Sequence, residues 1–192
     1  MSKNNPTLFL DRDGTINVDR GYLRSPEDVI LVSGAAEAIV AAKEAGFKIA
    51  IITNQAGVAK GVTPREALPL IHERIEKLIC LEGKVSEFSF DDIRICIHHP
   101  DDRCGCRKPE VENLEHSVKK LGSDISRSFF IGDKSSDLLC GKKMGLTPVL
   151  VLTGHGPETL AELKEPELQD LFASTLVAED LPKAVALILK RK

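Results

Sequence analysis

Near residue 10 the chain carries the run Thr7-Leu8-Phe9-Leu10-Asp11-Arg12-Asp13-Gly14-Thr15. Its first four residues predict a short strand that stops abruptly at the Asp11 carboxylate, and the absence of clean alternation is typical of a strand buried on both faces of a parallel sheet. Asp11 and Asp13 are two residues apart, so an extended backbone would point both carboxylates to the same side. Gly14 lets the chain turn sharply, and the turn would expose backbone amides to an anion.

Outward from this strand, apolar segments alternate with amphipathic helical patterns. We predict further strands at residues 47–52, 92–97, 128–131 and 148–152, with one more short strand at 175–177. We predict helices at 34–46, around 111–121, and at 135–144, 158–163 and 182–189. One more helix is predicted to follow a capping box at residues 63–66. Ser33 is placed to cap the first helix, and Thr63 with Glu66 to cap the second. Strands without alternation, separated by helices, favour an α/β fold with a doubly wound parallel sheet.

Length and composition predict one domain, residues 1–192. Hydrophobic residues make up 42% of the chain and charged residues 29%, which supplies enough apolar material for a core. The formal net charge is −3 and the basic residues are scattered, so neither nucleic acid nor a membrane surface is expected as a partner. The pattern shows no secretory signal or membrane-spanning run, so we expect a cytoplasmic protein. No surplus apolar helix face is evident, which favours a monomer.

Polar clusters follow four of the predicted strands: Asp11 and Asp13, Thr53 and Asn54, Arg107 and Lys108, and Asp133. In open parallel sheets, ligands bind outside the carboxyl ends of the strands, so we expect these side chains to converge on one site. Converging carboxylates would repel one another unless a divalent cation joined them, and oxygen-only ligands suit Mg²⁺. Asp137 lies four residues after Asp133, a helical spacing that could place it on the same rim.

These parts predict phosphoryl transfer through a covalent intermediate. Asp11 would attack phosphorus without a separate base, because a carboxylate is already an anion at neutral pH. Asp13 would protonate the leaving alkoxide and then take a proton from the water that breaks the acyl phosphate. Thr53 and Asn54 would donate hydrogen bonds to the phosphoryl oxygens, and Lys108 would supply a fixed positive charge.

The same residues resemble the four motifs of the haloacid dehalogenase (HAD) superfamily of phosphatases. The matching segments are Phe9-Leu10-Asp11-Arg12-Asp13-Gly14-Thr15, Thr53-Asn54-Gln55, Arg107-Lys108-Pro109, and Gly132-Asp133 with Asp137. The resemblance implies that Asp11 is the nucleophile and Asp13 the general acid and base. It implies that Thr53 and Lys108 steady the phosphoryl group. It also implies that Mg²⁺ is held by Asp11, the carbonyl of Asp13 and Asp133. Core elements use up the gaps between motifs, so no separate cap domain is expected.

Within the superfamily the chain is similar to the heptose-bisphosphate phosphatases, which remove the 7-phosphate of D-glycero-D-manno-heptose 1,7-bisphosphate for ADP- or GDP-heptose and hence lipopolysaccharide or surface-glycan synthesis. The similarity lies in Arg20-Gly21-Tyr22, residues 53–61 and Cys104-Gly105-Cys106-Arg107-Lys108-Pro109. It implies substrate contacts from Asp19, Arg20, Gly21, Tyr22, Asn54, Gln55, Arg107 and Lys134. The forked donors of Arg107 could meet a second phosphate.

Two features leave histidinol phosphate open as an alternative substrate. Residues 110–113 carry no proline-glycine pair, which heptose enzymes often have after the motif ending at Pro109. The short histidine-to-cysteine spacing also occurs in the histidinol-phosphate phosphatases, which are close relatives.

Four side chains form a set suited to tetrahedral zinc: Cys96, His98, Cys104 and Cys106. Four protein ligands leave no open position, so the zinc would be structural and would pin the loop that leads to Lys108. The family resemblance supports the same four ligands. His99 is adjacent to His98 and is the alternative imidazole.

Functions of other classes are disfavoured. A nucleic-acid-binding zinc module would need a basic face and aromatic stacking groups, whereas the chain is mildly acidic and 4% aromatic. No Gly-x4-Gly-Lys-Ser/Thr loop is present, as a nucleotide-dependent kinase of the P-loop type would need. A non-catalytic phosphate-binding protein is disfavoured because both Asp11 and Asp13 are intact.

Overall fold

Six parallel strands form one sheet in the computed structural model, which describes residues 5–191. The strands are β1 (Thr7–Leu10), β2 (Lys48–Asn54), β3 (Asp92–Cys96), β4 (Phe129–Gly132), β5 (Thr147–Val151) and β6 (Leu176–Ala178). Their order is β3-β2-β1-β4-β5-β6, and each neighbouring pair is parallel. The chain adds β2 and β3 on one side of β1 and then returns to place β4 on the other side. A crevice forms outside the carboxyl ends of β1 and β4, because the winding direction reverses there.

Helices cover both faces of this sheet. They are α1 (Ala35–Glu44), α2 (Ala67–Glu82), α3 (Glu112–Leu121), α4 (Ser135–Lys143), α5 (Gly156–Glu162), α6 (Gln169–Ser174) and α7 (Leu181–Leu189). Short 3-10 turns lie at Pro26–Asp28, Pro100–Asp102, Ile125–Arg127 and Pro166–Leu168. Helices α1, α2 and α7 pack on one face, and α3 to α6 pack on the other. The predicted doubly wound α/β fold is therefore confirmed.

Successive side chains of β1 point to opposite faces of the sheet, and both sets are buried. Leu8 and Leu10 pack into the cluster under α1, α2 and α7, while Phe9 packs with Phe130 and Leu114 on the other face. Strand side chains alternate with a period of two, so a strand covered on both faces needs apolar residues at every position. This explains why the central strands form nearly unbroken apolar runs in the sequence.

The predicted boundaries are close to the observed ones, with two informative differences. Strand β2 runs two residues beyond the predicted 47–52, so that Thr53 and Asn54 belong to the strand itself. Helix α6 was not predicted, because its six residues bury only Leu171 and are too few to show a helical period.

Both predicted helix caps are wrong. Helix α1 is preceded by Gly34 at φ +75°, without a side-chain cap from Ser33. Helix α2 begins at Ala67, after a turn in which Glu66 makes no capping hydrogen bond. The Thr63 hydroxyl instead donates to the Leu23 carbonyl over 2.9 Å. The hydroxyl is therefore used to anchor the loop that follows β1, which a local sequence pattern does not reveal.

Among residues 5–191, no helix is long and apolar enough to cross a membrane. The expectation that the chain begins without a secretory signal falls partly on residues 1–4, which lie outside the described residues, as does residue 192.

We expect Thr63→Val to lower the free energy of unfolding by about 1–2 kcal/mol, because the buried Leu23 carbonyl loses its donor. Glu66→Ala is the matched control and should change the free energy of unfolding by less than about 0.5 kcal/mol, because Glu66 is exposed and caps nothing. Urea denaturation of both variants checks this. If Glu66→Ala lowered the free energy of unfolding more than Thr63→Val did, the result would support the predicted capping box and contradict the observed contact.

Candidate active site

The polar residues predicted at the strand ends do meet at the crevice between β1 and β4. The backbone N–H of Asp11 donates to the Ile131 carbonyl over 2.9 Å, which fixes Asp11 at the first position beyond the paired strands. A cleft of about 220 Å³ opens there, lined by Asp11, Asp13, Thr53, Asn54, Arg107, Lys108, Lys134, Ser136 and Asp137. All but Ser136 were candidates from the sequence; Ser136 had no distinguishing signal beyond its place at the start of α4.

Three carboxylates lie together beneath this cleft. Oxygens of Asp11, Asp133 and Asp137 are all within 4.8 Å of one another, and the three residues are buried. Two glycines make room for them: Gly14 at φ +85° and Gly154 at φ +56° both back onto Asp133, and a Cβ on either would clash with its carboxylate. The glycine of the first motif is therefore required by space as well as by backbone conformation.

Lys108 supplies the buried positive charge of this cluster. Its Nζ lies 2.8 Å from an oxygen of Asp11 and 2.8 Å from an oxygen of Asp137, and it donates to the Ile52 carbonyl over 2.7 Å. The residue is only 3% exposed. Burial disfavours its charge, but the carboxylates of Asp11 and Asp137 outweigh burial and raise the pKa of Lys108 above its ordinary value.

Lys108 and the partly exposed Lys134, whose Nζ lies 3.6 Å from an Asp133 oxygen, do not balance three buried carboxylates. Burial, followed by the neighbouring charge of Asp11, raises the pKa of Asp133 to about 7. Burial is also the main cause of the raised pKa of Asp137. The Oδ1 atom of Asp133 is buried without a hydrogen-bond partner. An all-oxygen donor set with surplus negative charge and a free buried acceptor fits a hard divalent cation such as Mg²⁺.

Asp13 is held apart from this group by four N–H donors. Arg12 donates from Nε over 3.1 Å and from Nη2 over 2.6 Å, Asn17 donates over 2.9 Å, and Gln55 donates over 2.8 Å. Burial raises the pKa of Asp13, but the charge and hydrogen bonds of Arg12 outweigh it, so the pKa is lowered. The role of the Arg12 side chain, which is completely buried, was not foreseen from the sequence.

The residues at the end of β2 support their neighbours as well as lining the cleft. The Thr53 hydroxyl accepts a hydrogen bond from Gln55 over 2.8 Å. The Asn54 amide pairs with the backbone of Lys108, donating to its carbonyl and accepting from its N–H, each over 3.1 Å. Gln55, predicted to contact substrate, is 6% exposed and bonds to Arg12, Asp13 and Thr53. Asn54 and Gln55 thus have structural partners in addition to any ligand.

The predicted substrate residues of the loop after β1 lie in two places. The Asp19 carboxylate lies 3.3 Å from Lys134 Nζ and 3.4 Å from His155 Nε2, at the rim of the carboxylate cluster. Arg20 and Tyr22 line a separate cleft of about 440 Å³. Gly21 donates its N–H to Asp19 over 2.8 Å at φ +83°.

Two further contacts complete the rim. Arg107 lies between the 220 Å³ cleft and a neighbouring one of about 340 Å³, with its Nη1 atom unpaired. His155 donates its backbone N–H to Asp133 over 2.8 Å.

The predicted zinc ligands form a compact cluster at the end of β3. Within it, Cys96 Sγ lies 3.7 Å from His98 Nδ1 and 3.6 Å from Cys104 Sγ; Cys106 Sγ lies 3.2 Å from His98 Nδ1 and 3.5 Å from Cys104 Sγ. A tetrahedron with zinc–sulfur bonds of about 2.3 Å has edges close to these distances. His99 turns away and contacts Asp101, so the structure brings His98 and not His99 into the cluster.

The thiols of this cluster have unequal proton affinities. Burial opposes ionisation of Cys104, but contacts with Cys106 and Cys96 outweigh it and lower the pKa of Cys104 to about 7. Burial, with the neighbouring sulfurs, raises the pKa of Cys106 to about 12. A bound divalent cation would stabilise all three thiolates together, so the donor set fits zinc.

Comparisons with known proteins agree with this arrangement. A HAD-hydrolase-like family model matches residues 105–184. The D-glycero-D-manno-heptose-1,7-bisphosphate 7-phosphatase of Chlorobaculum tepidum is 41% identical over 191 residues, covering 93% of this chain and 91% of its own. This chain belongs to the HAD-like hydrolase family. The resemblance seen in the motifs is therefore confirmed.

Two more relatives place the chain within that family. The D-glycero-beta-D-manno-heptose-1,7-bisphosphate 7-phosphatase of Photorhabdus laumondii is 36% identical, covering 99% of this chain and 100% of its own. The crystal structure of D,D-heptose 1.7-bisphosphate phosphatase from B. bronchiseptica, complexed with magnesium and phosphate, matches with a TM-score of 0.85. Its sequence identity is 32%, over 97% of this chain and 99% of that chain.

We expect Mg²⁺ to raise the melting temperature (Tm) at pH 8, and Asp133→Asn to raise the Tm of the metal-free protein. The folded pKa of Asp133 is about 7 against an ordinary value of 3.8. The stability from this group is thus fully present below pH 3.8 and is lost as the pH rises through about 7. At pH 8 the metal-free protein therefore carries a carboxylate that is destabilised first by burial and then by the charge of Asp11. Each kcal/mol of this destabilisation that is removed should raise Tm by about 2–4 °C, as measured by calorimetry.

The matched control for this prediction is Asp170→Asn, which makes the same change at an exposed position of α6. It should leave the Tm at pH 8 unchanged, both with and without Mg²⁺. Asp133→Asn should also shrink the Tm increase that Mg²⁺ produces. A metal-free Asp133→Asn protein that melts below the wild type at pH 8 would contradict the charge balance described for this cluster.

Proposed function

We propose that the chain is a Mg²⁺-dependent phosphomonoester hydrolase that acts through a phosphoryl group on Asp11 and removes the 7-phosphate of D-glycero-D-manno-heptose 1,7-bisphosphate. The observation that carries this is the buried Asp11 carboxylate, held 2.8 Å from Lys108 at the switch point of a HAD-like sheet. Its pairing with Lys108 keeps the nucleophile in place, because a side chain locked by an ion pair has little freedom to turn from the cleft.

Each residue has a defined part in the proposed reaction. An Asp11 oxygen attacks phosphorus, the bond from phosphorus to the sugar oxygen breaks, and Asp13, which enters the step in its protonated form, gives that oxygen its proton. A water then attacks the phosphorus of the acyl phosphate and passes a proton to the Asp13 carboxylate, which restores its protonated form, and the bond to Asp11 breaks to release phosphate. Lys108 and the Thr53 hydroxyl stabilise charge on the phosphoryl oxygens. Bound Mg²⁺, held by Asp11, Asp133 and the carbonyl of Asp13, would neutralise the approaching phosphate; Asp137 lies beside these ligands.

The proposed substrate follows from the rim of the cleft and from the names of the relatives. Arg107 and Lys134 border the cleft where the transferred phosphate would sit, and Arg107 also borders the adjacent cleft. A second phosphate next to Arg107 would meet a guanidinium group, whose forked contacts are favourable for phosphate. The relatives above are named for the heptose 1,7-bisphosphate, which carries two phosphates.

Three further features belong to the proposal: the domain organisation, the zinc site, and the location and partners of the protein. The element contacts run across the whole sheet, which supports one domain over residues 1–192 with no separate cap. The Cys96, His98, Cys104 and Cys106 cluster would hold a structural zinc that stabilises the segment leading to Arg107. We also propose that the protein is a cytoplasmic monomer. We propose that it binds neither nucleic acid nor membrane, because the net charge is −3 and the basic side chains are scattered.

Asp11→Asn should lower kcat by about 10⁴-fold or more, because an amide is a far weaker nucleophile than a carboxylate, and should leave the fold intact. Phosphate release with Mg²⁺ checks the activity, and circular dichroism checks the fold. Asp170→Asn is the control and should keep wild-type activity. Mass spectrometry should first exclude deamidated material. Substantial turnover by the remaining Asp11→Asn protein would contradict the covalent mechanism.

We expect a higher kcat/KM for heptose 1,7-bisphosphate than for histidinol phosphate. Arg107→Ala should lower the ratio of these two kcat/KM values by about 10-fold or more, since it removes a charged contact to the second phosphate. The two substrates are compared side by side in Mg²⁺. Preference for histidinol phosphate would keep the fold and chemistry but reject the proposed substrate.

Purified protein should contain about one zinc ion per chain, and Cys104→Ser should lower that content and make the residue 96–108 segment more sensitive to proteolysis. Cys80→Ser is the matched control, because Cys80 lies in α2 outside the cluster. Elemental analysis of zinc and limited proteolysis with mass spectrometry provide the measurements. Wild-type protein that is free of zinc after purification without chelators would show this proposal to be wrong.

A further inference from the structure

Arg12 is the largest completely buried side chain among the described residues, and the hydrogen bonds of its side chain go to active-site residues. Its guanidinium makes two hydrogen bonds to Asp13, and its Nη2 also donates to the Gln55 amide oxygen over 2.9 Å. Gln55 in turn donates to Asp13 over 2.8 Å. The three side chains therefore form a closed triangle in which each one orients the other two.

Four N–H donors converge on the ionised Asp13 carboxylate, which is the form that the group takes once its proton has passed to the leaving group. Its Oδ1 accepts from Arg12 Nε and Asn17, and its Oδ2 accepts from Arg12 Nη2 and Gln55. A carboxylate has about four lone-pair sites, so the plane and rotation of the group are fixed by these donors. The fork of Arg12 is bidentate, and two parallel bonds define an orientation that one bond cannot.

Stability alone does not explain a buried arginine at this position. Removing a guanidinium from water carries a desolvation cost that its ion pair repays only in part, and an apolar side chain of similar volume is often as stable. The titratable group facing Arg12 from α2 is His72, which offers no compensating charge. Burial and the charge of Arg12 lower the pKa of His72 to about 4, so His72 is neutral at pH 7. Asp13 is thus the counter-charge of Arg12.

We propose that Arg12 is a positioning residue for Asp13: with Gln55 as its brace, it holds the carboxylate in the orientation from which Asp13 exchanges protons with the leaving group. This proposal rests on the acid and base role that Asp13 has in the proposed function. Arg12 does not line the cleft, so it acts through Asp13 and not on the substrate.

The test compares kcat/KM for two substrates whose leaving groups differ in their need for a proton. An alkyl phosphate (heptose 1,7-bisphosphate) expels an alkoxide and needs an acid, whereas p-nitrophenyl phosphate expels a stable phenolate and does not. In the proposed covalent mechanism, kcat/KM reports steps up to leaving-group expulsion and not the later hydrolysis. General acid catalysis contributes about 10²–10⁴-fold, so Arg12→Lys should lower kcat/KM for the alkyl phosphate by about 10-fold or more.

For p-nitrophenyl phosphate, Arg12→Lys should change kcat/KM by less than about 3-fold, because no proton from Asp13 is required. Arg94→Lys is the matched control. Arg94 also pairs with a neighbouring aspartate, Asp92, over 2.7 Å, and it does not line the cleft. Both values of kcat/KM should stay at the wild-type level in Arg94→Lys protein.

Asp13→Asn separates failure of this proposal from failure of the proposed function. Asp13→Asn should show the same selective loss on the alkyl phosphate, and to a greater extent than Arg12→Lys. Suppose that Asp13→Asn lowers kcat/KM for the alkyl phosphate alone, whereas Arg12→Lys lowers kcat/KM for both substrates equally or for neither. Arg12 then has no positioning role. If Asp13→Asn itself is not selective, the acid role of Asp13 is rejected, and the proposal for Arg12 with it.

A second variant covers the case in which Arg12→Lys protein does not fold. Gln55→Met removes the amide that bonds both Arg12 and Asp13 while keeping a side chain of similar length. Gln55 also donates to Thr53, so its loss can lower kcat/KM for both substrates to the same extent. Beyond that common loss, kcat/KM for the alkyl phosphate should fall by a further factor of about 3 or more, because one of the four donors to Asp13 is lost. Equal loss on both substrates by a folded Gln55→Met protein would overturn the proposal.

Discussion

The ammonium group of Lys108 lies 2.8 Å from both Asp11 and Asp137, in a place from which water is almost excluded. Removing one partner of a buried ion pair leaves an uncompensated charge, so these groups depend on one another. Lys108 also donates to Ile52 on β2, and the Asn54 amide clamps its backbone. The Lys108 side chain thereby connects the ends of β1 and β2 and the start of α4 to the segment after β3, which carries Lys108 itself.

The surrounding fold makes this concentration of charge sustainable. Both faces of the sheet are sealed by helices, and the apolar runs of β1, β2, β4 and β5 fill the space beneath the site. Charge remains in excess, because Asp133 has a raised pKa and an unpaired oxygen. The site thus gives up local stability in return for affinity for a cation and a phosphate, as functional sites in stable scaffolds commonly do.

The sequence predicted most of the fold and the carboxylate site, because both depend on patterns that are local. Apolar runs ending at Asp11 and Gly132 locate strand ends, and parallel topology brings such ends together. The prediction from the sequence failed where a side chain bonds to a residue far along the chain. Thr63, for example, donates to the Leu23 carbonyl instead of capping α2. Arg12, between two carboxylates in the first motif, gave no sign of being buried, because its burial depends on Gln55 and α2. The short helix α6 carries too few apolar residues to be recognised.

The most direct test of the account is to trap the phosphoryl group on Asp11. Borohydride added during turnover reduces an acyl phosphate to an alcohol, so peptide mass spectrometry should find homoserine at position 11 and at no other aspartate. The modification should require both substrate and Mg²⁺. Phosphate release at an undiminished rate with no modification of Asp11, or modification of Asp13, Asp133 or Asp137 in its place, would contradict the central claim.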